Sequence, residues 1–183
     1  ALEDVPLVFA GYGITAPELG WDDYAGLDVK DKIVVILVND PDFESGQGDF
    51  GGKAMTYYGR WTYKYEEAAR RGAAGALIVH ETAPAAYPWA TVRNGRNGPQ
   101  YDIVRADAAD YHLPVRGWIQ REVAQRLFDE SGLDFEAEKA RAQQRGFAGY
   151  RLQGASASLA FDVQRERIAS RNVAGILPGA RRP

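Results

Sequence analysis

Seven consecutive residues, KIVVILV at positions 32–38, restrict the fold more than any other feature of this chain. After the lysine every position is apolar and most are β-branched. The run has strand length and lacks the alternation of a half-exposed strand, so it reads as a central strand covered on both faces. Such a strand needs neighbours on its edges and helices on its faces. From Arg60, the sequence RWTYKYEEAARRG puts Trp61, Tyr65, Ala68 and Ala69 on one helical stripe, with Lys64, Glu67, Arg70 and Arg71 outside it. Gly72 follows two arginines that suit the negative end of the helix dipole, and it is a natural terminator. ALIVH at 76–80 reads as the next strand. The stretch 34–79 is therefore a βαβ crossover, which places its two strands parallel.

The flanking sequence is read in the same way. Residues 5–14 (VPLVFAGYGI) form a first strand, stopped before Pro17, because a proline holds its predecessor extended. Positions 20–26 are a turn-rich link, and 39–52 is loop by composition. In the irregular stretch 81–111, Asn94-Gly95 and Asn97-Gly98 suggest a tight hairpin tip between 91 and 103. A short strand at 113–117 feeds an amphipathic helix with Ile119, Val123, Leu127 and Phe128 on one face, closed by Gly132. Asp134 can N-cap a second helix at 135–145, thin in apolar residues and expected on the surface. Leu152 and residues 155–163 read as a half-exposed strand, and NVAGIL at 172–177 as a last strand candidate. At 183 residues the chain has the length of one domain.

Composition limits the chemistry. There is no cysteine, which excludes disulfides, thiolate nucleophiles and cysteine metal sites, and only His80 and His112 supply imidazoles. Neither histidine stands in H-x-x-x-H or H-x-D spacing, and a structural role is the simpler reading of both. The charge of -3, from 22 basic and 25 acidic side chains, argues against a nucleic-acid surface; the basic cluster at the terminus is only Arg181-Arg182. No apolar run approaches the roughly 20 residues of a membrane span. Ser156 and Ser158 lie on a strand-like segment, not on a G-x-S-x-G elbow.

Four further patterns need weighing. Gly46, Gly48 and Gly51 spell G-x-G-x-x-G, but that fingerprint works only between a strand and the helix it opens; here the helix starts near Arg60, so a loop is the better reading than a nucleotide site. Asp40, Asp42, Glu44 and Asp49 begin like a calcium loop without its spacing or its final glutamate, which favours a solvated acidic loop. Glu66 and Glu67 are adjacent on a helix and point about 100° apart, so Glu67 reads as solvated surface. The aromatic block at 57–65 has two readings. Trp61 and Tyr65 can pack inward, or Tyr57, Tyr58 and Arg60, ahead of the helix at its N-terminus, can form an exposed recognition edge, since aromatics and arginine supply rigid binding area.

Several segments together resemble the protease-associated domain of bacterial zinc aminopeptidases of metallopeptidase family twenty-eight: LVFAGYGITAPELGWDDYAGLDVKDKIVVILVNDP (7–41), GKAMTYYGRWTYKYEEAARRGAAGALIVHE (52–81), the LPV strand (113–115) with the helix after it, and SRNVAGILPG (170–179). The resemblance covers nearly the whole chain. It implies an α+β fold, a strongly bent sheet or open β-barrel with the βαβ unit and flanking helices, over residues 1–167. Residues 168–183 would then lead into a peptidase domain outside this chain. It also implies a non-catalytic role: capping the active-site cleft and modulating substrate access or protein contacts, with Tyr57, Tyr58, Arg60 and Trp61 as the edge nearest the peptidase. The implied partners are that peptidase domain and a peptide or protein substrate, with no nucleic acid and no membrane span. No cofactor or metal is expected in this chain; zinc belongs to the peptidase domain. Such enzymes are generally exported, to the periplasm or beyond. A free-standing peptide- or protein-binding module is the alternative.

Overall fold

The computed structural model describes residues 1–95 and 97–179. Four parallel strands, β1 (Leu2–Phe9), β4 (Ile33–Leu37), β5 (Gly75–His80) and β6 (Val115–Gln120), lie side by side in chain order, and β7 (Tyr150–Leu159) joins the far edge antiparallel to β1. The order β6-β5-β4-β1-β7 leaves β6 and β7 as the two edges of an open sheet. Thr15–Ala16 (β2) and Trp21–Asp22 (β3) form a separate two-stranded ribbon. The fold is mixed α and β, with helices on both faces.

The unbroken apolar run makes this layering possible. All five residues of β4 are buried. Ile33, Val35 and Leu37 face one core with Phe9, Phe128 and Phe135, while Val34 and Ile36 face another with Tyr65, Ala68 and Ile78. Helix α1 (Trp61–Arg70) covers the second face; α4 (Arg121–Glu130) and α5 (Phe135–Ala142) cover the first. Phe9 meets Phe128 edge to face at 5.0 Å and Phe147 at 5.7 Å, a geometry that adds to area burial. Two short helices, α2 (Thr82–Ala85) and α3 (Trp89–Gly95), lie between β5 and β6.

The βαβ unit is as the sequence predicts: β4 and β5 pair in parallel from Ile33↔Gly75 to Leu37↔Val79. Helix α1 ends where expected. Gly72, at φ 74°, donates to the Ala69 carbonyl and Ala73 to the Ala68 carbonyl, the paired bonds of a Schellman cap that favours glycine. Asp134 caps α5 by accepting from the Ala137 amide at 2.7 Å.

Other expectations need correction. The first strand ends at Phe9, because the chain turns at Gly11 and Gly13, both at positive φ, before the β2–β3 ribbon. Among the described residues no hairpin ladder lies between 91 and 103; Asn94-Gly95 ends α3 instead, the same residues suiting a helix terminus. Helix α5 is not purely superficial, since Phe135 and Ala142 enter the core and Glu138 and Lys139 are buried beside them. The last strand stops at Leu159, and 172–177 is not a strand: residues 160–179 have no regular structure, and Val173, Ile176 and Leu177 are almost wholly exposed. Arg181 and Arg182 lie outside the described residues.

Candidate interaction surface around the first turn of helix α1

The loop from residue 39 to 60 is held from beneath by buried charge. Lys64, within α1, is fully buried; its ammonium donates to the carbonyl oxygens of Tyr12 at 2.6 Å, Asn39 at 3.0 Å and Tyr58 at 3.3 Å. Burial lowers its pKa to about 8, against the opposing pull of Asp40 and Asp23. Asp40 is buried too, accepting from the Thr56 amide at 2.7 Å and the Thr56 hydroxyl at 3.0 Å; burial raises its pKa. Asp42 accepts from the Phe50 amide, and its Oδ1 is buried without a hydrogen-bond partner among the described residues. Glu44 pairs with Lys139 and Asp49 with Arg145.

The acidic loop is thus only half solvated, which corrects the sequence reading: Glu44 and Asp49 are exposed, whereas the buried Asp40 and Asp42 fold the loop. The G-x-G-x-x-G stretch is part of the same turn-rich loop and opens no helix. Glu67 is corrected likewise. It is 7 % exposed and accepts from Arg70, Arg71 and Thr15 at 2.8–3.0 Å; burial raises its pKa, but those hydrogen bonds outweigh it and hold the carboxyl below its usual value.

On this support stand the four residues of the expected edge, and they divide. Tyr57 is 56 % exposed and donates to Glu66 at 2.9 Å; Trp61 is 41 % exposed, against the inward packing suggested by helical spacing. Trp61 still contacts the Tyr65 ring, at 6.0 Å. Arg60 is exposed at the N-cap. Tyr58 instead turns partly inward, onto Phe50 and Tyr63, and its hydroxyl donates to Glu18 at 2.6 Å, which lowers the Glu18 pKa.

Trp61 borders two adjoining clefts. One, of about 280 Å³, lies between α1 and the segment after α3 and is lined by Glu66, Tyr101, Asp102, Arg105, His112 and Arg116 among others. The other, of about 250 Å³, is lined mainly by Trp61, Tyr87, Val92 and Trp118, with Gln100 shared by both. Asp102 lies 2.9 Å from the His112 ring and 4.0 Å from Arg116. Arg105 stacks on Tyr111 at 4.4 Å. Sequence reasoning missed Tyr87, Arg105, Arg116 and Trp118; they are scattered over 30 positions and meet only through the β5–β6 pairing and the chain after α3.

The histidines are structural neighbours of this surface. His80 is 4 % exposed, with Nε2 3.0 Å from the Tyr87 carbonyl oxygen. Ser156 and Ser158 on β7 bond to Asp4. Among the described residues no group of three or more His, Asp or Glu could hold a metal ion. No helix among them is long and apolar enough to cross a membrane.

Fold and surface together define a three-layer mixed α/β domain that presents an aromatic groove beside one sheet edge. The chain belongs to the PA domain family, the protease-associated module, whose family model matches residues 3–127. No curated protein and no solved structure matches the chain.

Proposed function

We propose that this chain is the non-catalytic protease-associated domain of a zinc aminopeptidase, capping the active-site cleft and modulating the access of peptide or protein substrates. In this reading residues 1–167 are the accessory domain, and 168–183 lead into a peptidase domain that carries the zinc. The enzyme is exported, to the periplasm or beyond. The observation that supports it best is the exposure of Tyr57, on the loop fixed by the buried Lys64, and of Trp61 at the start of α1. Exposed rigid aromatics at the mouth of a groove suit contact with a peptide or a neighbouring domain. PA family membership supports the link to a protease.

The test is kinetic. Trp61→Ala with Arg60→Ala in the full-length enzyme should change KM for a peptide substrate with little change in the zinc content. The 183-residue chain alone, supplied with zinc, should not hydrolyse a leucyl-anilide at an enzyme-like rate. Unchanged KM, or hydrolysis by the chain alone, overturns the reading.

A further inference from the structure

The two clefts at Trp61 share lining residues, Trp61 and Gln100, and so form one groove with unlike ends. The fitting occupant is a segment that places one side chain in each cleft and leaves its backbone outside. At one end Trp61, Tyr87 and Trp118 offer apolar ring surface, suited to an aromatic or long aliphatic side chain.

The other end sets two carboxylates, Glu66 and Asp102, against two arginines, Arg105 and Arg116, and Arg105 is the one without a carboxylate of its own. Glu66 is engaged by the Tyr57 hydroxyl, and it also interacts with Arg70. Asp102 is divided between His112 and Arg116. Among the described residues Arg105 has only the Tyr111 ring, with no carboxylate within ion-pair distance. A guanidinium stacked on a ring keeps its edge N–H groups free for a bidentate carboxylate. The chain beside it also leaves Tyr101, Ile103 and Val104 more than half exposed, apolar surface of the kind that partners cover.

We infer that this groove binds an extended peptide in which an aromatic or long aliphatic side chain stands two residues from a carboxylate, the spacing that puts both side chains on one face. The inference rests on the reading of the α1 edge as a peptide-contacting surface. It names the peptide.

The experiment uses the 183-residue chain and three blocked tripeptides, acetyl-Phe-Ala-Glu-amide, acetyl-Phe-Ala-Lys-amide and acetyl-Ala-Ala-Glu-amide, titrated while tryptophan fluorescence and backbone amide NMR shifts are followed. The Phe-Ala-Glu peptide should bind about tenfold more tightly than either of the others, moving the amides of 100–118. Arg105→Glu, an exposed substitution, should abolish or invert the Glu-over-Lys preference, and Trp61→Ala should remove the Phe-over-Ala preference. Equal binding of all three peptides, no binding, a preference untouched by Arg105→Glu, or stronger binding of an oligothymidylate control overturns the inference. The kinetic test in the full-length enzyme is separate. Altered KM without peptide selectivity sinks this inference alone, and selectivity without altered KM sinks the access role alone.

Discussion

The Lys64 ammonium lies 2.6 Å from the Tyr12 carbonyl oxygen, joining helix α1 to the turn after β1 across 52 residues of sequence. The same ammonium reaches Asn39 and Tyr58, so three loops converge on one buried cation. Lys64→Met keeps the length and apolar stem but leaves three carbonyls, two of them buried, without this donor and Asp40 without a nearby positive charge. Each such group costs its desolvation. The variant should lose about 3 kcal/mol in urea denaturation, and hydrogen exchange should accelerate first at residues 56–60. A loss under about 1 kcal/mol would mean that the lysine is only tolerated there.

Tyr24 poses the opposite case. Its ring is buried beneath Arg71, 4.4 Å away, while its hydroxyl has no hydrogen-bond partner among the described residues. An unmade hydrogen bond in a core is a standing cost. Tyr24→Phe keeps the ring contacts and removes the orphaned group, so thermal unfolding should show unchanged or higher stability, by up to about 1 kcal/mol. A clear loss would reveal a partner for the hydroxyl.

These two residues mark where the sequence ceased to be legible. The β4 run, the crossover through α1 and the Gly72 and Asp134 caps follow from local pattern, because their determinants lie within one element or one turn. The burial of Lys64 and Glu67 does not. A single apolar stripe describes a helix packed on one surface, whereas α1 is also covered by the chain around residues 12–15 and 39–58, and only the tertiary fold brings those carbonyls and hydroxyls within reach. The groove was half legible: its α1 side stands out as an aromatic block, but Arg105, Arg116 and Trp118 carry no local signal and are gathered by strand pairing.

The tight loop before α1 gives a third test. At Gly52, φ is 63°, and an added Cβ would stand 2.2 Å from the Gly46 carbonyl oxygen, a backbone atom that cannot swing away. Gly132 has a similar φ of 74° but open space around it. Ala at 132 should therefore cost only the left-handed backbone penalty, about 1 kcal/mol, and Ala at 52 should cost about 2–3 kcal/mol because the loop must open. Denaturation of both variants reads the difference, and equal losses would show that the loop yields freely.

Two buried carboxyls should impose opposite pH dependences on stability. Asp23 accepts from the Ile14 amide at 3.0 Å and the Trp21 indole at 2.7 Å, yet burial without a direct cation raises its pKa to about 7. Between about pH 4 and 7 the folded chain holds a proton that the unfolded chain has released, so this contribution is complete below about 4 and disappears as pH rises through 7. Glu67 has a depressed pKa, so its contribution is present above the unfolded value of about 4.3 and is lost as pH falls through the folded one. Measured against Asp23→Asn, the wild-type chain should lose roughly 2–4 kcal/mol of relative stability from pH 4 to 7. Measured against Glu67→Gln, it should lose relative stability on acidification below pH 4. Carbon-13 spectra of the carboxyl groups should show Asp23 titrating near neutrality; a titration near pH 4 would require Asp23 to be better solvated or paired than its two hydrogen bonds allow.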